Sequence, residues 1–214
     1  GKGAKDWAKQ LGIDIVVEEN YPQKQTDFTA LLQKIKSAGA EAIFSNSYFA
    51  DAAAQLRQMR ELNLNLKLFS STVGPGLPNF PEQLGSTAEY VLGFSQWEPL
   101  PHVLKHPGMK EYIEAYEKRY GEKPNYHAGM TYASLQVTEA ALKKVGSFDN
   151  EKLRDALTAI EVITVAGRYK VDAKGMNSHE GITFQILRGQ RKVVWPDKYA
   201  ETKAELPMPE WSKR

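Results

Sequence analysis

Four short runs rich in β-branched and aromatic residues punctuate the first stretch of the chain: IDIVVEE (13–19), EAIFS (41–45), LKLFSS (66–71) and YVLGFS (90–95). Stretches with helical periodicity separate them. DFTALLQKIKSAG puts Phe28, Leu31, Leu32 and Ile35 on one face, with Thr26 or Asp27 as the cap and Gly39 as the stop. Ala52 to Leu62 turns Leu56 and Met59 inward. Upstream, GKGAKDWAKQLG groups Ala4, Trp7, Ala8 and Leu11 and ends on Gly12. Strands alternating with helices of this length predict an α/β fold with a doubly wound parallel sheet. A helix that opens such a series normally follows a strand, so the reading expects a fragment cut inside its first βα unit.

The rhythm changes after FSQWEPLP. Helices are expected at about 108–120, 127–145 and 150–160 with no strand between them, the second carrying Met130, Ala133, Val137, Ala140 and Ala141 on one face. The tail returns to β structure in EVITVAGRYKVD and in TFQILRGQRKVVWP, a hairpin turning at Arg188-Gly189-Gln190. ELPMPEWSKR reads as an extended strap. The expected organisation is therefore 1–96, then 97–160, then 161–214.

Bulk numbers exclude several function classes. The 214 residues are 42% hydrophobic and 25% charged, with a net charge of +2 and both signs interspersed. No nucleic-acid footprint is present, and no apolar run is long enough to span a bilayer. The absence of cysteine removes disulfides, thiolate metal sites and thiol catalysis, and it fits an oxidising compartment. No cofactor motif is found: SSTVGPG lacks both the P-loop lysine and the dinucleotide glycine spacing. His102 and His106 stand four apart but between Pro101 and Pro107, and read as exposed loop residues rather than metal ligands. No serine occupies a nucleophile elbow and no carboxylate pair stands out, so the chemistry leans away from an enzyme.

In an open parallel sheet, ligands sit beyond the carboxyl ends of the strands. Two connectors hold that place, Asn46–Asp51 and Thr72–Pro75. Asp51 begins a helix, where a carboxylate satisfies free backbone amides. Capping leaves Tyr48 and Phe49 unexplained, and an aromatic pair on a loop suits a small-molecule pocket or an interface. Thr72 is a candidate by its position at a strand end, in a loop that equally reads as a plain turn. Gln96 and Trp97 lie where the chain leaves the sheet. Trp97 is read either as the wall of a cleft or as a plug between packing units. His127, after Tyr126, is either a neighbour of a helix cap or a pocket residue.

TDFTALLQKIKSAGAEAIF, YFADAAAQLRQMRELNL, PNYHAGMTYASLQVTEAALKK and VAGRYKVDAKGM, in this order, resemble the periplasmic solute-binding proteins of branched-chain or hydrophobic amino acid ABC transporters, which share the type I periplasmic binding fold. The ending VVWPDKYAETKAELPMPEW is similar to a subset associated with amides or aromatic acids. The resemblance implies the second lobe of a two-lobed protein plus helices of an incomplete first lobe, closing on a small solute by hinge motion and docking on a membrane permease. It implies a periplasmic or lipid-anchored extracellular location. Tyr48 and Phe49 match the family's aromatic pair, and Asp51 its acidic residue for a ligand ammonium; Tyr126 and His127 fall near the cleft mouth. Helices 108–120 and 127–145, without their sheet, are expected to self-associate. The rival readings are a ligand sensor on the same fold and an α/β enzyme.

Overall fold

The computed structural model describes residues 2–214. The first helix, α1 (Lys2–Gln10), stops where Gly12 takes a φ of +68°, a conformation that costs a glycine little. Asp27 accepts the Thr29 amide at 2.8 Å and opens α2 (Thr29–Ser37), which ends at Gly39. There follow β1 (Ala42–Ser45), α3 (Phe49–Glu61), β2 (Leu68–Ser71), the short α4 (Asn79–Leu84) and β3 (Leu92–Ser95). The helices expected in mid-chain are α5 (Met109–Tyr120), α6 (Tyr126–Val145) and α7 (Asn150–Ala159). Asn125 and Asp149 cap the latter two through their side chains. Two hairpins close the chain, β4 (Val162–Thr164) with β5 (Gly167–Tyr169), and β6 (Ile182–Leu187) with β7 (Gln190–Trp195).

One five-stranded sheet runs in the order β1-β2-β3-β6-β7. Its β1–β2 and β2–β3 pairs are parallel and β6–β7 is antiparallel. The β6–β7 turn is the pair Arg188-Gly189, both at positive φ, which matches the twist of the flanking strands.

The expected strand at 13–19 does not form. Ile13 and Val16 are 53% and 54% exposed, and β1 lies at the sheet edge with β2 as its neighbour. A β-rich sequence becomes a strand only where a partner completes its hydrogen bonds, and none does so here. The segment is instead tied down by ion pairs of Glu18 with Lys5 and of Glu19 with Lys34, while Val17 leans on the core.

The chain divides into two compact units, one of residues up to Phe94 with Thr183–Arg214, the other Ser95–Ile182. Residues 161–182, including β4 and β5, thus fall in the same unit as helices α5–α7, and from Thr183 the chain is in the unit that holds the sheet.

In the first unit Leu32 of α2, Leu56 and Met59 of α3, Phe69 of β2, Phe80 of α4 and Phe184 of β6 share one core. The C-terminal strap is part of it. Met208 donates its amide to Lys67 O at 2.8 Å, and the buried Trp211 donates its indole N–H to Leu64 O at 2.8 Å. In the second unit Met109 and Tyr112 of α5 pack with Trp97, Ala133 and Val165, while Val137 and Ala141 of α6 meet Ala156 and Ile160. Tyr112 stacks on Tyr132 at 4.5 Å, and burial pushes its phenol up to about 12. The long helices therefore cover part of each other's apolar surface, although Tyr132 and Leu135 stay exposed.

Candidate functional site

At the C-terminal tips of β1 and β2 the sequence places Ser45, Ser47 and Ser71, all buried. Buried hydroxyls need partners, and these find one another. Ser45 donates to Gln55 Oε1 of α3 at 2.8 Å and lies 2.9 Å from Ser47 Oγ, which is hydrogen-bonded to Ser71 Oγ at 2.8 Å, either hydroxyl being able to donate. Thr72 ties the two connectors together further: its hydroxyl donates to Ser47 O at 3.1 Å and its amide to Ser45 O at 3.2 Å. Ser47→Ala is expected to leave the buried Ser71 hydroxyl without this partner and to lower stability by about 1–3 kcal/mol, measured as a shift of the urea midpoint at constant m.

This lacing fixes the direction of the residues that follow. Tyr48, in extended conformation before α3, projects its ring outward and is 69% exposed. Phe49 turns the other way, half-buried, edge-to-face on Phe80 at 5.2 Å. It also borders a shallow groove of about 510 Å³ that runs over Ala50, Ala53 and Ala54 of α3. The aromatic pair is thus split: one ring faces solvent and one braces the lobe. The Gly74-Pro75-Gly76 turn owes its first glycine to packing, since a Cβ there would stand 2.9 Å from Phe80 and 3.1 Å from the Ala52 methyl.

Asp51 caps its own helix. Its Oδ2 lies 3.4 Å from the Tyr48 amide and 3.3 Å from the Tyr21 hydroxyl. Burial, and next the charge of Asp51, raise the Tyr21 phenol above its ordinary value. Sequence reasoning missed Tyr21 and the serine network. The serines end two strands as FSNS and FSS, a visible pattern; Tyr21 sits 30 positions away in what reads as a plain loop.

The remaining candidates belong to the second unit. The Gln96 side chain is exposed, and its backbone carbonyl meets His179 Nε2. Of the two readings of Trp97, the packing favours the plug: it is 3% exposed, its indole N–H donates to Val165 O at 3.1 Å, and its ring lies against the backbone of Gly129. It is a plug, because an α-carbon without a side chain lets the indole press on α6. Tyr126 and His127 open α6 with ring centroids 4.1 Å apart. Asn125 rather than His127 is the cap, accepting the Ala128 amide at 3.2 Å. Among the described residues no group of three or more His, Cys, Asp or Glu could hold a metal ion, and no helix is long and apolar enough to cross a membrane.

In open α/β sheets ligands sit beyond the carboxyl ends of the parallel strands, and here that place holds two polar connectors, one of them presenting the exposed Tyr48 ring. The model of the periplasmic binding protein family matches residues 1–190, and the chain belongs to that family, one of binding proteins rather than of enzymes. A Leu/Ile/Val-binding protein homolog from Brucella suis is 29% identical over 96% of this chain and 54% of its own length. A leucine-binding protein from Thermotoga maritima superposes with a TM-score of 0.78 at 22% identity, over 88% of this chain and 53% of that one. An ABC transporter solute-binding protein from R. palustris in complex with benzoate gives 0.73 at 15% identity, over 98% and 54%. The chain spans about half the length of the relatives it matches.

Proposed function

We propose that this chain supplies the second lobe, and part of the first, of the solute-binding component of an ABC importer. The component works in the periplasm or anchored at the cell surface. Its solute is a small amino acid, amide or aromatic acid, held between lobes that close by hinge motion, and the closed form is what the membrane permease recognises. No bond is made or broken. The observation that carries this reading is Tyr48, an outward-facing ring at the tip of a parallel strand, on a connector locked from beneath by hydroxyl hydrogen bonds. Rigid support beneath one exposed ring is what a preorganised contact requires. Thr72 belongs to the same tip, and Gln96, Tyr126 and His127 are the second unit's candidates. Phe49 acts indirectly by bracing α3.

The test is a thermal-shift and calorimetric screen of amino acids, amides and aromatic acids on the full-length protein, since stabilisation grows with the ratio of ligand to Kd. Removing an aromatic contact that closure desolvates costs about 1.5–3 kcal/mol, so Tyr48→Ala should weaken the bound solute by about tenfold or more. An unchanged Kd in Tyr48→Ala would place the site elsewhere.

A further inference from the structure

Asn46 leaves β1 between two buried serines, and its own side chain has no role in holding the lobe together. Ser45 and Ser47 are buried, whereas Asn46 and Tyr48 are exposed. Side chains that alternate in this way follow an extended chain, which sets the Asn46 carboxamide on the same side as the Tyr48 ring. Asparagine usually enters a connector for one of two local reasons: it tolerates a left-handed backbone, or its side chain binds nearby backbone. Asn63 does the first at a φ of +45°, and Asn125 and Asn177 do the second by accepting the amides of Ala128 and Lys170. Asn46 does neither. It is not at positive φ, and among the described residues its carboxamide makes no hydrogen bond. The backbone on both sides of it is nevertheless pinned: Ser45 O accepts the Thr72 amide, and Ser47 O accepts the Val73 amide, each at 3.2 Å. An amide with unused hydrogen-bonding capacity on a fixed backbone is a preorganised contact.

We propose that Asn46 is a solute-contacting, specificity-determining residue whose amide N–H donates to an oxygen of the bound solute, beside the part that the Tyr48 ring covers. The proposal rests on the solute-binding reading above and adds a polar contact to it. The connectors Asn46–Asp51 and Thr72–Pro75 contain no Lys, Arg or His, and Asn46 carries their only side-chain amide. An ionised Asp51 only accepts, the Thr72 hydroxyl is engaged with Ser47 O, and the Tyr48 hydroxyl stands at the far end of its ring. A solute oxygen shut away from water without a donor is strongly unfavourable. Asn46 is the group at this strand tip that meets that need next to the backbone.

The probes are L-leucine, L-phenylalanine, benzamide and benzoate, each bearing a carboxylate or carboxamide oxygen. They are titrated by calorimetry into the full-length protein and into its Asn46→Ala and Asn46→Asp variants. For whichever probe the wild type binds, Asn46→Ala should raise Kd by about three- to tenfold, the loss of one hydrogen bond. Asn46→Asp keeps the shape but sets an anionic oxygen against the solute oxygen, and should raise Kd by more than about tenfold. Both variants should keep the ligand-free Tm within about 2 °C of wild type, because Asn46 bonds nothing in its own lobe. A Kd within about twofold of wild type in both variants overturns the inference, and continued weakening by Tyr48→Ala then leaves solute binding standing. Asn46→Asp binding as tightly as wild type also overturns it, since a carboxylate replaces the amide only as an acceptor. A fall in ligand-free Tm that tracks the loss of affinity overturns it as well, by assigning Asn46 to the fold. Failure of the wild type to bind any of the four probes overturns the proposed function itself, and the inference with it.

Discussion

Trp97→Ala is expected to destabilise the second unit by about 3–5 kcal/mol, the cost of emptying a buried aromatic site that cannot collapse. Two features argue for the upper part of that range. The indole N–H is the donor for Val165 O, so its loss leaves a buried carbonyl without this partner. The ring also fills the space above Gly129, where a Cβ would stand only 2.6–2.9 Å from three indole carbons. Trp97→Phe should cost less than the alanine change yet still leave Val165 O unpaired. Gly129→Ala should be destabilising alone, by about 1–3 kcal/mol, and nearly harmless in the Trp97→Ala background, because the two changes share one space. Urea unfolding of the four proteins closes this cycle. If Trp97→Ala is as stable as wild type but loses solute affinity, the indole is a cleft wall after all.

How much of this could be read from the chain differs by element. β1, β2 and β3 and the helices around them were legible because their periodicities, caps and glycine stops act locally: Asp27 on Thr29, Gly12 and Gly39 at left-handed φ, Arg188-Gly189 at the hairpin. The run 13–19 has the same local chemistry as β1 but no strand beside it, and strand formation is a pairing event. Local sequence could not report the absent partner. The short α4 was hidden in a Gly/Pro-rich stretch where packing on Phe80, rather than periodicity, sets the backbone.

The candidate site was legible at the level of place and not of role. Position at the strand tips selected Tyr48, Phe49, Asp51 and Thr72. Which ring turns outward depends on Phe80, and whether the carboxylate is free depends on Tyr21, both distant in sequence. The role of Trp97 likewise hinges on Gly129, one of sixteen glycines and not distinguished by its neighbours. Each of these roles is decided by a contact between segments far apart in the chain, which periodicity and motif spacing do not encode.

Gly93→Ala should be among the most damaging small substitutions in the first unit. Gly93 lies inside β3, where glycine normally weakens a strand, so its presence requires a packing reason. The reason is Phe184: a Cβ on residue 93 would stand 2.3 and 2.7 Å from two of its ring carbons and 2.7 Å from Pro75 Cβ. The ring has no room to retreat. It is 1% exposed, and the Arg191 guanidinium lies 5.3 Å over its face while donating to Gly76 O at 2.8 Å. Overpacking a fixed core costs about 1–3 kcal/mol, sometimes more, and three close contacts with immobile groups place Gly93→Ala at or above the top of that range. Phe184→Leu alone trims the ring and should be mildly destabilising. Combined with Gly93→Ala it should recover much of the loss, since the smaller side chain vacates the position the new methyl needs. Strict additivity of the two changes in denaturant unfolding would mean that Phe184 is not the obstacle. The same tight fit joins β3 to β6 and reaches the connector at Pro75, so the repaired double variant also reports how far core packing at Gly93 holds that connector in place.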